Sequence, residues 1–241
     1  MRSCSIALIG LLCCLGAGPA GAQPTLDLER SAVLDRVNHY RALAGLQAVT
    51  IDTQLQAAAQ SHARYMAETG ELSHTESDRG SRHFTGASLK ERLRAASAGN
   101  AQASEVVGMA SVTHAHEGHR IAGHRVAQAH EGVDRLVAAI YHRYVVLSAD
   151  AGHAGVGVAR GRDAGLDAVY VTVNFSGSPA PQAAPALTVY PAPGQTRVQS
   201  GFDPSSEAPN PLPGSDLAGQ PISIQTGAGA TLSVTDFRLY A

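Results

Sequence analysis

A strict alternation at the start of the last third of the chain constrains its fold most. Val169, Val171, Val173 and Phe175 are separated by Tyr170, Thr172 and Asn174. A period of two sends every second side chain to the same face of an extended strand. A second strand-like run, Ala154 to Ala159, contains Gly155-Val156-Gly157-Val158. Between the two lies the turn-rich Gly161-Arg162-Asp163-Ala164-Gly165. Together they predict a β-hairpin with one buried face, and that face needs an apolar partner layer.

Helical segments supply such a layer. In Asp27 to Ala44, the residues Val33, Leu34, Val37, Tyr40, Arg41 and Ala44 recur at helical spacing, and Gly45 stands where a left-handed terminator belongs. Asp52 is placed to cap a second helix whose buried stripe runs Leu55, Ala58, Ala59, His62, Met66, with Gly70 ending it. Ser88-Leu89-Lys90-Glu91 is a capping box for a short helix to about Ala96. Val133, Leu136, Val137, Ile140 and Tyr144 form a further stripe, with His142 near its C-terminal end. Glu105 to Ala110 is apolar and short, and its periodicity does not choose between strand and helix.

Residues 1–22 read as a signal peptide. Arg2 is followed by an apolar run from Ile6 to Leu15, too short for a comfortable bilayer span, and by the small residues Ala20-Gly21-Ala22. The expectation is an exported protein, secreted or periplasmic, with no stable membrane span in the mature chain. Cys4, Cys13 and Cys14 all lie in this leader. A mature chain beginning at Gln23 therefore forms no disulfide and depends on core burial. With 5% aromatic residues and no Trp, that core must be built from Ala, Val, Leu and Ile. A net charge of −2 offers no basic stripe and argues against a nucleic-acid partner.

Beyond the hairpin the composition shifts. Ten of the twelve prolines fall between Pro179 and Pro221, which predicts a linker over residues 178–221. Residues 222–241 alternate again (Ile222, Ile224; Leu232, Val234) around Gly227-Ala228-Gly229, which predicts a β-hairpin appendage.

Chemistry concentrates in three islands: His74 in Leu72-Ser73-His74, Glu105 in Ser104-Glu105-Val106, and His142 in Ile140-Tyr141-His142-Arg143. Two imidazoles and a carboxylate brought together suit zinc or another divalent metal, or proton exchange. The same three are the candidates for a catalytic role, with Ser73 or Ser104 as conceivable nucleophiles. There is no Gly-x-Ser-x-Gly elbow, mature cysteine or His-Glu-x-x-His helix to support one. Arg143 is expected to bury its stem and pair with a carboxylate. His114, His116, His119, His124 and His130 form a second cluster, read as a solvated loop with loose metal affinity at most.

These islands, in their order and spacing, resemble the CAP superfamily of cysteine-rich secretory, venom-antigen and pathogenesis-related proteins, in its bacterial, disulfide-free form. The resemblance rests on Val37-Asn38-His39-Tyr40-Arg41 with Gly45-Leu46, on Ala58 to Met66 leading to His74, on Glu105, and on Tyr141-His142-Arg143 followed by Val156-Gly157-Val158. It implies an α+β fold, an α-β-α sandwich with a central antiparallel sheet over 27–177, to which the alternation in 222–241 adds a small C-terminal β appendage. It also implies a cleft where two histidines meet two acids. His74, Glu105 and His142 match three of these. Where the family carries its second acid, this chain reads Leu136-Val137-Ala138-Ala139; Glu131 and Asp134 lie upstream and could substitute only if the helix packs differently.

The function expected from this reading is a non-catalytic, exported binding module. Its His/Glu cleft would hold a divalent metal or a small lipid-like or envelope-derived ligand. The alternatives are a metal-dependent envelope hydrolase using the same cleft and an interaction module with a vestigial one.

Overall fold

The computed structural model describes residues 22–99, 102–111, 121–177, 187–227, 230–236 and 238, leaving aside the side chains of 22–25, 111 and 121–124. The expected leader lies outside these residues save for Ala22, as do His114, His116 and His119.

The first helix, α1, runs Ala22–Leu43 and stops at Gly45, whose φ is +73°. The Leu46 N–H closes the terminus on the Arg41 carbonyl at 2.8 Å. After the short strand β1, Thr50–Ile51, comes α2, Thr53–Thr69. Asp52 caps it by accepting from the N–H groups of Gln54 and Leu55, and left-handed Gly70 ends it. Then follow α3, Leu89–Ala95; β2, Ala103–Ser111; α4, Ile121–Ala138; and α5, Ile140–Val146. The hairpin of β3, Ala151–Asp163, and β4, Leu166–Gly177, completes the main body. Glu105 to Ala110 is thus strand, and the expected histidine loop is helical from Ile121 onward.

The four strands lie in the order β1-β3-β4-β2. β4 is antiparallel to both of its neighbours, and only the short β1 runs parallel to β3. Helices α1 and α4 cover one face, where Val33, Val37, Val133 and Val137 meet Val156, Val158, Val169, Val171, Val173 and Phe175. Each such side chain, fully buried, contributes about 1.5–3 kcal/mol. Helix α2 covers the other face. The architecture is an α-β-α sandwich.

The hairpin was expected to bury one face, and it buries both. Tyr170, Thr172 and Asn174 are as fully enclosed as the valines between them. The reason lies in β3, which presents glycine toward α2. A Cβ on Gly155 would fall 2.1 Å from the backbone of Leu55, and one on Gly157 would fall 2.1 Å from the Ala59 carbonyl oxygen. Two strand residues advance about 6.7 Å and four helix residues about 6 Å, so this pairing keeps step along the helix. With the small residues Ala58, Ala59 and Ala63 buried on it, α2 seats directly on the sheet backbone.

Arg41 is also buried, and it functions as a clamp. Its guanidinium donates to the carbonyls of Gln47, Val146, Ser148 and Ala151 at 2.8–2.9 Å, tying α1 to the chain between α5 and β3. Burial pulls its pKa down to about 10.

The C-terminal stretch differs from the expected linker and hairpin. β5, Thr188–Tyr190, pairs with β8, Ser223–Gln225, and β6, Gly201–Phe202, pairs with β7, Ala218–Gly219. Residues 230–234 form no strand, so β8 finds its partner 35 residues upstream rather than across Gly227. Tyr190, Phe202, Pro204, Glu207 and Ser223 are buried, so this segment packs instead of spacing. Its dock is the junction of α4 and α5.

That junction corrects the expectation of one continuous helix. Ala139 is extended (φ −75°, ψ 126°) and divides α4 from α5, putting His142 in the first turn of α5. Arg143 satisfies the carbonyls freed by the break, donating to Val137 and Ala138 at 2.7 and 2.9 Å. It also donates to the Pro221 carbonyl at 2.7 Å and stacks over Tyr190 at 4.1 Å. Its partners are carbonyls, the Ser223 hydroxyl and a ring, not the predicted carboxylate.

Candidate functional site

His62 and Tyr65, on the buried face of α2, shape the loop that carries His74. The His62 ring lies between two acceptors: Nε2 is 2.8 Å from the Ser73 carbonyl, and Nδ1 is 3.0 Å from Glu76 Oε1. The Tyr65 hydroxyl accepts from the N–H groups of Ser77 and Asp78 at 2.9 and 2.8 Å. Glu76 has no exposed side chain; its Oε2 accepts from Thr85 and Gly86 N–H. Burial pushes the Glu76 carboxyl up, but the His62 hydrogen bond and the two backbone donors outweigh it, leaving its pKa below the ordinary range.

Arg92, on α3, closes this cluster from the other side. Its Nη2 lies 2.8 and 2.9 Å from the two oxygens of Glu105 and 3.1 Å from the His74 carbonyl oxygen. Glu105 enters from β2 and is 3% exposed, while the His74 side chain is 53% exposed. His74 Nδ1 meets Glu105 Oε1 at 3.1 Å. Burial raises the Glu105 pKa, but the His74 hydrogen bond, the Arg92 and His62 charges and the Arg92 hydrogen bond outweigh it and leave the carboxyl below its ordinary value. An exposed imidazole therefore stands on a rigid, charged, buried support.

His142 completes the group. Its ring lies 6.3 Å from that of His74, with the planes 21° apart. All three sequence-predicted residues are thus neighbours. Glu105, however, is held by Arg92, and among the described residues no three His, Cys, Asp or Glu side chains are placed to hold one metal ion. Ser73 Oγ is engaged with Thr75, accepting its N–H and sharing a hydrogen bond with its hydroxyl at 3.0 Å, and so serves the loop.

Neither upstream candidate for the missing acid reaches the site. Asp134 is taken by Arg36 and Tyr40 at 2.6 and 2.9 Å, and Glu131 pairs with Arg135. The carboxylate beside His142 is Glu207, from the C-terminal segment, with Oε2 3.5 Å from Nδ1. Its Oε1 accepts the Tyr141 N–H at 3.0 Å.

Four participants escaped the sequence reading. His62 left a trace as the polar member of an otherwise apolar helical stripe, and Arg92 as a basic residue in the capping-box helix. Glu76 and Glu207 left none, since nothing local marks a surface glutamate from a buried one. A separate concavity of about 630 Å³, lined by Arg125, Arg160 and Arg162 among others, shares no residue with this cluster. Arg160 is neutralised by Glu29 at 2.6 Å and Arg162 lies 3.7 Å from Asp167.

The chain belongs to the cysteine-rich secretory protein (CAP) family, whose model matches residues 34–175. Among solved structures it is similar to an extracellular protein containing an SCP domain from Bacillus anthracis, with 18% identity over 67% of this chain and 45% of that one, at a TM-score of 0.48. An outer surface protein from Borrelia burgdorferi shares 14% identity over 61% of this chain and 92% of its own, at a TM-score of 0.41. A cysteine-rich secretory protein from Staphylococcus aureus shares 18% over 66% and 40%, at 0.39. The chain thus spans less than half the length of the Bacillus and Staphylococcus proteins. No curated protein matches it.

Proposed function

We propose that the chain is an exported CAP-domain binding protein whose His74–His142 pair takes a divalent cation of the zinc type, with an envelope-derived or lipid-like small molecule as the ligand presented to it. One observation carries this reading. Each imidazole has a buried carboxylate on its Nδ1 side, Glu105 for His74 and Glu207 for His142. With Nδ1 turned inward, Nε2 is directed away from the support and is the nitrogen free to ligate. Carboxylates behind the distal nitrogen are the usual outer shell of metal-bound histidines.

In this arrangement Glu105 is a support, not the third ligand expected from the sequence. Two imidazoles would leave the other tetrahedral positions to solvent or to a ligand oxygen. The cation would supply polarising charge, and the chain would hold and orient the two rings.

Calorimetric titration of the full chain with zinc chloride tests the proposal. Saturable binding at one ion per chain, lost in His74→Ala and in His142→Ala, is the expected result. Affinity unchanged in both variants, or no binding by the unaltered chain, removes the metal reading.

A further inference from the structure

We infer that Glu207 is the positioning carboxylate of His142, so that the C-terminal segment completes the imidazole pair of the cleft. The inference rests on the reading of His74 and His142 as the working pair.

His142 carries a ring nitrogen in need of a partner. Its Nδ1 is buried and has no hydrogen-bond partner among the described residues, and Glu207 Oε2 stands 3.5 Å away, at ion-pair distance. Glu207 is itself buried, at 4% exposure. A carboxylate withdrawn from water needs donors, and this one has two facing it: the Tyr141 N–H at 3.0 Å and the His142 ring. The same relation holds at His74, where Nδ1 meets buried Glu105 at 3.1 Å. The two rings are therefore backed alike, although one carboxylate comes from the central sheet and the other from about 65 residues beyond its histidine.

Glu207 is held in place by its own segment. The turn before it is closed by the Asp203 side chain, which accepts the Ser205 N–H at 2.8 Å. Arg143 binds the Pro221 carbonyl at 2.7 Å and Ser223 Oγ at 3.3 Å, while the Gln220 amide donates to the Ala138 carbonyl at 3.0 Å. These contacts pin the segment to the helix break that carries His142. With Asp134 and Glu131 engaged elsewhere, Glu207 is, among the described residues, the acid in a position to set that ring.

Glu207→Gln separates positioning from capping, because its amide oxygen still accepts the Tyr141 N–H while the charge is gone. The first readout is the imidazole nitrogen spectrum of ¹⁵N-labelled full chain without metal, at about pH 8, where an ordinary histidine is neutral. His142 in the unaltered chain is expected to carry its proton on Nδ1, and in Glu207→Gln to shift toward the Nε2–H form. The second readout is zinc affinity, expected to fall roughly ten- to a hundredfold in Glu207→Gln. Glu131→Gln, at a carboxylate engaged by Arg135 away from the ring, is the control and is expected to leave both readouts unchanged. A His142 protonated on Nε2 in the unaltered chain overturns the inference without need of any variant. So does a tautomer unmoved by Glu207→Gln, or one moved equally by Glu131→Gln. If the unaltered chain binds no zinc, the metal reading falls, and the tautomer alone decides the role of Glu207.

Discussion

Arg92 has no exposed surface, and one of its nitrogens touches both oxygens of Glu105 and the His74 carbonyl. A buried carboxylate stripped of its cation is far costlier than an ion pair that never formed. Arg92→Met is therefore expected to cost about 3–5 kcal/mol, read from urea unfolding, and a loss below about 1 kcal/mol would show that the cluster tolerates an unpaired Glu105. Glu76 yields a prediction in pH. Its folded pKa lies below the ordinary carboxylate value of 4.5, so its contribution is complete above that value and is lost as pH falls through the folded pKa. Glu76→Gln should lose stability near neutrality and show a flatter decline below about pH 4.5 than the unaltered chain. Equal slopes in the acid limb would contradict the assignment. At this scale His74, Glu105 and His142 were legible because each borders an apolar segment. Glu76, Arg92 and Glu207 were not, because their burial comes from loops and helices distant in sequence.

Among the elements, the seating of α2 on β3 makes the sharpest demand. Gly157→Ala drives a Cβ into the Ala59 backbone, which has no flexible end to yield. Overpacking of this kind is expected to cost about 3 kcal/mol in chemical denaturation. Gly177→Ala, where an added Cβ meets nothing within 4 Å, is the matched control and should shift stability by less than about 0.5 kcal/mol. Similar losses in both would mean that the close approach is not what these glycines serve. The alternation in β4 announced a strand but could not say that both faces are covered, since Tyr170, Thr172 and Asn174 read as solvent-facing until a helix lies over them. The division of α4 from α5 was likewise hidden: the apolar stripe runs through Ala139 unbroken, and the break is held by Arg143 and by groups from the C-terminal segment.

The whole molecule is the sandwich plus a docked C-terminal segment. Ending the chain at Gly177 would take away Tyr190, Glu207, Pro221 and Ser223, leaving Arg143 with only the Val137 and Ala138 carbonyls and the α4–α5 junction open to water. A drop in melting temperature of roughly 5–10 °C is expected, at about 2–4 °C per kcal/mol for a chain of this size. An unchanged midpoint in calorimetry would make the segment an independent appendage after all. The sequence by itself determined the elements: caps at Asp52 and Ser88, terminators at Gly45 and Gly70, and a two-residue period in the hairpin are local signals, set by backbone sterics and by which faces can leave water. The sandwich was implied only by the family resemblance. Only the tertiary structure decided what surrounds the two histidines. Whether a glutamate is buried, and beside which ring, depends on contacts between segments far apart along the chain, and no local pattern encodes that pairing.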